Sequence, residues 1–241
     1  MENIKITQEL LRDYLNCYLN KAGDEFSLAE LMSIDTLQID TVDIVGDFFP
    51  IDLDIIKYFI NVKELEIRNV RITSDDMENI SRLNSLKRLM FVDCEFESID
   101  LNPKNLEYLK IAGGDIFDFE FLEDLTSLKE LELIGVGNLD ISVLNKLKNL
   151  NKLVLTKSQI MNVLPLNLNL NELRINYVQG LDLKRLTLNL KNLKKLVINN
   201  GQKGLFKDTL VYLYRSGVEI RNSHDELVEF GGEVWSKVIS N

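Results

Sequence analysis

The sequence predicts an α/β solenoid: a curved parallel sheet of about nine strands, with helices and turns on the convex side, a helical N-terminal cap and an α/β C-terminal cap. Three observations predict it. An apolar register of the form LxxLxL, with aliphatic substitutes, recurs in phase along most of the chain. Its spacing stays close to two dozen residues. The segments before the first register and after the last one lose that pattern and take up helical periodicity.

The registers are Ile34-Leu37-Ile39, Val62-Leu65-Ile67, Leu86-Leu89-Phe91, Leu106-Leu109-Ile111, Leu128-Leu131-Leu133, Leu150-Leu153-Leu155, Leu170-Leu173-Ile175 and Leu193-Leu196-Ile198, and Val218-Ile220 predicts a further strand. Successive third positions lie 28, 24, 20, 22, 22, 20, 23 and 22 residues apart, within the range of about 20 to 29 residues that defines a leucine-rich repeat. In each register the alternating pair, such as Leu131 and Leu133, points inward from a short strand, and the first residue, here Leu128, reaches the same interior from the preceding turn. Burying an aliphatic side chain yields about 1.5–3 kcal/mol, and ordering a residue's backbone costs about 1–2 kcal/mol. One repeat therefore cannot stand alone, and stability requires stacking.

The elements follow in order. Residues 1–33 form a helical N-terminal cap: Leu10, Leu11, Tyr14, Leu15, Tyr18 and Leu19 recur at helical spacing, and Ser27 with Glu30 has the spacing of a capping box for a second helix. Residues 34–203 are the leucine-rich repeats. Within them Pro50 suits a helix start, with Leu53, Ile56 and Phe59 facing inward, and Ser74-Asp75-Asp76 opens a convex-side helix through about Leu83. Residues 204–241 are the C-terminal cap including the last strand, with a helix ended by Gly217 and a second capping box over Ser223-His224-Asp225-Glu226 that leads to Gly231-Gly232.

The stretch FLEDLTSLKELELIGVGNLDISVLNKLKNLNKLVLTKSQI resembles the bacterial leucine-rich-repeat proteins, and in particular the internalin-like repeat type of about 22 residues. The resemblance covers residues 34–221 and implies a repeat fold with a protein-binding mode. One column departs from the family. Where it usually places Asn, this chain has Val42, Val70, Cys94, Gly114, Val136, Ser158, Val178 and Gly201. Only Ser158 is a good side-chain hydrogen-bonder, so backbone or water is expected to satisfy the turn amides and carbonyls.

Composition narrows the function. The apolar fraction of 45% is ordinary, and 12 Gly with 3 Pro leave no room for a flexible linker. The charged start MENIKITQELLRDYL lacks a secretory h-region, and no run of about 18 apolar residues is present. The expected location is therefore cytoplasmic, with Cys17 and Cys94 as free thiols. Residues 1–150 hold 30 acidic and 15 basic side chains, whereas 151–241 hold 8 and 13. That gradient bears on encounter with partners.

Each candidate for chemistry has a structural reading that outweighs it. His224 is the single histidine and reads as a solvated residue at a helix start. One His and two scattered Cys cannot build a zinc site, and Cys94 in the Asn column reads as a core thiol without an activating His. Asp40, Asp43, Asp47, Asp52 and Asp54 match no calcium-loop spacing and read as a solvated flank. Gly113-Gly114-Asp115 and Gly201-Gln202-Lys203-Gly204 lack the ending of a phosphate loop and read as turns. Lys184, Arg185, Lys191, Lys194 and Lys195 lack interleaved aromatics, so nucleic acid is not the expected partner. No enzyme activity, metal or cofactor is predicted.

Binding is predicted on the outward strand positions. Met90, Val92, Tyr108, Ala112, Ile134 and Val154 form the apolar part of that surface, ringed by Arg88, Lys110, Glu130, Glu132 and Lys152, with Tyr108 and Ile134 as anchors. The expected function is a protein-interaction module, an intracellular adaptor or inhibitor. One form of it resembles ribonuclease inhibitor, an acidic chain that steers a basic enzyme. The alternatives are the substrate-recognition arm of a bacterial ubiquitin-ligase effector and a self-assembling structural protein. A monomer or a weakly self-associating chain is expected.

Overall fold

The computed structural model describes residues 3–40, 53–114, 116, 118–161 and 166–228. It divides into two compact units, Met1–Asp115 and Ile116–Asn241. Among the described residues they contain nine parallel repeat strands, four in the first unit and five in the second.

The first unit opens with helix α1 (Glu9–Leu19), which buries Leu11 and Leu15 and ends at Asn20 in the left-handed region. Helix α2 (Leu28–Met32) begins with the predicted capping box. The Ser27 hydroxyl accepts the Glu30 N–H at 3.3 Å, and the Glu30 carboxylate accepts the Ser27 N–H at 2.7 Å. The Lys21 ammonium donates to the same carboxylate at 2.9 Å. These contacts, Lys21 foremost and then Ser27, hold the Glu30 pKa down to about 2. The helical periodicity does not predict the antiparallel ribbon that pairs Asn3–Lys5 with Glu25–Ser27. Its segments are only three residues long, too short for alternation to register, yet Phe26 and the adjoining Ile6 are fully buried.

Strands β1 (Thr36–Asp40), β2 (Glu64–Arg68), β3 (Arg88–Val92) and β4 (Tyr108–Ala112) follow in register, Leu37 beside Leu65, Leu65 beside Leu89 and Leu89 beside Leu109. All four leucines have zero exposure. On the outer side, Leu53–Tyr58 forms a 3₁₀ helix that buries Leu53 and Ile56, and Phe59 follows them into the core. The predicted start at Pro50 lies outside the described residues. Helix α3 (Ser74–Ser81) is capped by Thr73, one residue before the predicted start: Asp76 accepts the Thr73 N–H at 2.9 Å and donates its own N–H to the Thr73 hydroxyl at 3.3 Å.

The second unit holds β5 (Glu130–Ile134), β6 (Lys152–Thr156), β7 (Glu172–Asn176), β8 (Lys195–Ile198) and β9 (Glu219–Arg221), again in register, with Leu131 beside Leu153 and Leu153 beside Leu173. The outer side carries 3₁₀ segments at Glu120–Asp124 and Ile141–Lys146, then helices α4 (Leu183–Thr187), α5 (Asn200–Lys203) and α6 (Lys207–Arg215). Helix α5 replaces the turn predicted at Gly201-Gln202-Lys203-Gly204. The Gln202 amide donates to the Val178 carbonyl at 2.6 Å and accepts the Val178 N–H at 3.4 Å, which fastens this helical turn to the preceding repeat. After β9 the second capping box does not form in the described residues. Asn222 Oδ1 takes the His224 and Glu226 amides, both at 2.9 Å, and Arg221 then bridges antiparallel to Leu227. Gly231 and Gly232 lie outside the described residues.

Two backbone devices repeat. Just before most of the strands, one carbonyl of the preceding repeat accepts two consecutive amides, for example Asp35 from Lys63 and Glu64, Lys63 from Lys87 and Arg88, Lys129 from Asn151 and Lys152, and Asn151 from Asn171 and Glu172. Just after six of the strands, the chain turns through a left-handed residue, at Asn69, Asp93 and Gly113 in the first unit and Gly135, Lys157 and Tyr177 in the second. A side chain in that conformation costs about 1–2 kcal/mol. At Gly113 a Cβ would crowd the Asp93 carboxylate, whose side chain would have to swing aside.

Removing one rung from the stack tests its weight. Leu153→Ala is expected to cost about 2–5 kcal/mol in urea unfolding, because Leu153 is fully buried between Leu131 and Leu173. A loss below about 1 kcal/mol would contradict the stacked interior.

Candidate protein-binding surface

The strand register places every predicted site residue on an outward position. In the first unit Arg88 neighbours Tyr108, Met90 neighbours Lys110, and Val92 neighbours Ala112. In the second unit Glu130 neighbours Lys152, Glu132 neighbours Val154, and Ile134 neighbours Thr156. Each strand's geometry separates these residues from the inward pair by simple alternation.

In the first unit the surface is more internally engaged than the sequence suggested. Tyr108, expected as an exposed anchor, is only 7% exposed. The Arg88 guanidinium lies 3.9 Å from the centre of its ring, a cation–π stack. Arg88 also pairs with Glu64 at 3.6 Å, and Arg68 pairs with Glu66. Met90, Val92 and Ala112 remain partly exposed beside this layer, as does Lys110, which makes no ion pair among the described residues.

The second unit carries an alternating acid–base ladder. Lys152 pairs with Glu130 at 3.3 Å and Glu132 at 3.8 Å. Further along, Arg174 pairs with Glu172, and Lys195 lies 3.8 Å from Glu172. The turn after β9 folds onto this end, where Asp225 receives Lys195 at 3.0 Å and Arg174 at 3.8 Å. The Lys195 hydrogen bond is the largest cause holding the Asp225 pKa below its ordinary value. Val154 is 8% exposed, whereas Ile134 and Thr156 are partly open. The open apolar centre of this unit's face is therefore Ile134.

The Asn column supplied a correction. Ser158 donates to Thr156 O at 2.9 Å and reaches Leu133 O at 3.4 Å. Cys94 does the same, reaching Ile67 O at 3.3 Å and Val92 O at 3.5 Å, so a thiol substitutes for a polar side chain here. Sequence reasoning missed a second column, one residue before the first apolar position. There Asn61 donates to Met32 O at 2.9 Å, Asn105 to Asn84 O at 2.8 Å and Asn149 to Thr126 O at 2.9 Å. The signal was present, since these asparagines recur at the same point of their repeats.

Burial pushes the Cys94 thiol up to about 11, whereas Cys17 is exposed on α1. Native protein is therefore expected to take up one equivalent of iodoacetamide at neutral pH, on Cys17, and denatured protein two; rapid labelling of Cys94 in the native chain would contradict its burial. His224 is exposed in the turn that follows β9. No group of His, Cys, Asp or Glu able to hold a metal occurs among the described residues, and none of their helices is long and apolar enough to cross a membrane.

One buried cation stands apart. Lys203 on α5 is 1% exposed, and burial lowers its pKa while the field of Glu226 partly opposes the shift. The unfolded chain then binds the extra proton, so stability rises with pH between the lowered pKa and the ordinary value. Lys203→Met is expected to stabilise the chain at pH 7 by about 1–3 kcal/mol and to flatten that alkaline rise, both read from denaturation midpoints. A destabilised variant would show the ammonium to be compensated.

No protein-family model matches the chain, and no curated protein does. Solved structures do match. An internalin of Listeria monocytogenes, InlF, gives a TM-score of 0.64 at 26% identity, over 80% of this chain and 56% of its own. The fold is a leucine-rich-repeat solenoid. Listeria monocytogenes InlP shows the same fold with a TM-score of 0.53 at 15% identity, over 83% of this chain and 67% of its own. The solenoid described here spans little more than half the length of InlF. The likeness to InlF agrees with an internalin-like repeat type.

Proposed function

We propose that this chain is a non-enzymatic interaction module that holds a protein partner against the outward face of its parallel strands. The observation that carries this reading is the state of the face in the second unit. Its charges are already paired with one another through Lys152, Glu130 and Glu132, and beside them Ile134 stays partly open. Lys152 is shared by two carboxylates, so a partner that covers this surface meets an engaged cation and one excess negative charge around an apolar centre, the arrangement of a hot spot with a polar rim. In the first unit Met90, Val92 and Ala112 offer comparable apolar positions next to the Arg88–Tyr108 stack.

The likeness to Listeria internalins supports an interaction role in general terms. The finer role in this reading is a cytoplasmic adaptor or inhibitor, with residues 1–33 and 204–241 sealing the repeats 34–203. Contacts that support the sealing are the Tyr14 hydroxyl on the Thr36 carbonyl at 2.6 Å and the Asp225 pairs with Lys195 and Arg174. The excess of acidic residues in 1–150 favours a basic partner, whose association rate would fall with salt.

Ile134→Arg tests the face. Immobilised wild type is expected to retain a partner that the variant loses by about thirtyfold or more, the scale of a hot-spot residue, while circular dichroism and the melting midpoint stay unchanged. Equal retention by both proteins would remove Ile134 from the interface.

A further inference from the structure

The left-handed corners that follow six of the strands have an uneven choice of residues. Asn69, Asp93, Gly113 and Gly135 are types that tolerate this conformation. The remaining two corners, Lys157 at φ 50° and Tyr177 at φ 56°, belong to adjacent strands of the second unit and use types that do not. The backbone amides are engaged, Lys157 N–H by the Asn176 carbonyl at 2.8 Å and Tyr177 N–H by Asn199 Oδ1 at 3.4 Å, but the side chains bring no compensation of their own. Tyr177 is 63% exposed, Lys157 is exposed, and among the described residues neither the ammonium nor the phenol hydroxyl has an ion pair or hydrogen bond. A fold under selection for stability alone would place Asn or Gly at both corners.

The same two side chains line a groove of about 500 Å³. Gly135 and Gly137 lie on its wall, and a Cβ at Gly137 would meet nothing within 4 Å. Gln159 and Gln179, whose backbones bridge in parallel, are exposed along it. Among the described residues the groove thus brings together one cation without a counter-ion, one open aromatic ring and two primary amides, with no acidic residue in its lining.

We propose that this groove is a second binding site, for an acidic peptide segment of a partner protein. Lys157 pairs with a carboxylate, the Tyr177 ring covers a neighbouring apolar side chain, and the two glutamine amides donate to and accept from the peptide backbone. A polyanion such as nucleic acid matches it poorly, because a single cation neutralises too few phosphates. The site lies beyond the strand ends and adjoins the outward face, since Gly135 follows directly on Ile134.

The test uses the full chain, ¹⁵N-labelled, titrated with the capped pentapeptide Glu-Glu-Tyr-Glu-Glu and with its neutral counterpart Gln-Gln-Tyr-Gln-Gln. Lys157→Asn and Tyr177→Asn are the informative variants, since asparagine suits the corner. The expected result is movement of the Gln159 and Gln179 side-chain amide signals and the Gly135 and Gly137 backbone signals with the acidic peptide. Affinity is expected to fall about fivefold or more in each variant and to decline with salt. Both asparagine variants are expected to unfold at a higher urea concentration than wild type. Equal shifts with the neutral peptide, wild-type affinity in both variants, or a response to a sulfated oligosaccharide in place of the peptide would overturn the proposal. Earlier unfolding of the asparagine variants would do so too, because it would assign Lys157 and Tyr177 a structural purpose.

Discussion

Everything in this molecule depends on the fact that no repeat can enclose its own apolar triad. Leu128, Leu131 and Leu133 are fully buried only because the neighbouring repeat presents Leu150, Leu153 and Leu155 at matching height. Apolar burial is non-directional, so it does not set that height. Hydrogen bonding does. The parallel ladder and the carbonyl that accepts two amides before most of the strands hold one repeat to the next, and a slip of one residue would turn the buried pair outward.

This constraint leaves the outward positions free for recognition, but it also brings their charges close together. Residues directly across a parallel ladder sit near enough that like charges would repel. The chain answers with alternation: Glu130, Lys152, Glu172 and Lys195 stand side by side on successive strands, and Asp225 completes the series from the turn after β9. Exposed pairs of this kind contribute little stability singly. Their effect is to leave Ile134 beside charges that are already engaged with one another, and that governs what a partner must bring with it.

The repeat architecture was legible because its signal is redundant. Each of eight registers repeats the same three apolar positions, and the structure confirms their alternation and phase. Short local features were less legible. The ribbon joining Asn3–Lys5 to Glu25–Ser27 is too brief to show a period. The Ser223–Glu226 pattern satisfied the spacing of a capping box, but Asn222, directly upstream, captured the amides first. On the candidate face alternation gives the register of the outward positions, but not that Tyr108 and Val154 are buried there. The sequence shows that Tyr108 faces outward; only the coordinates show Arg88 lying on its ring. The corner residues Lys157 and Tyr177 escaped notice for a similar reason, since a left-handed backbone is invisible until the turn is seen.

The twice-used carbonyl has an evolutionary corollary. Because it sets the rise from one coil to the next at the strand's entrance, coils of 20 or 28 residues can follow one another while the surplus is spooled out on the far side. A gene segment encoding one whole coil could thus be copied or deleted, and the remaining coils would keep their alignment. The display surface can lengthen or shorten by single steps of about 4.8 Å, and a lineage can fit it to targets of different size without redesigning the interior.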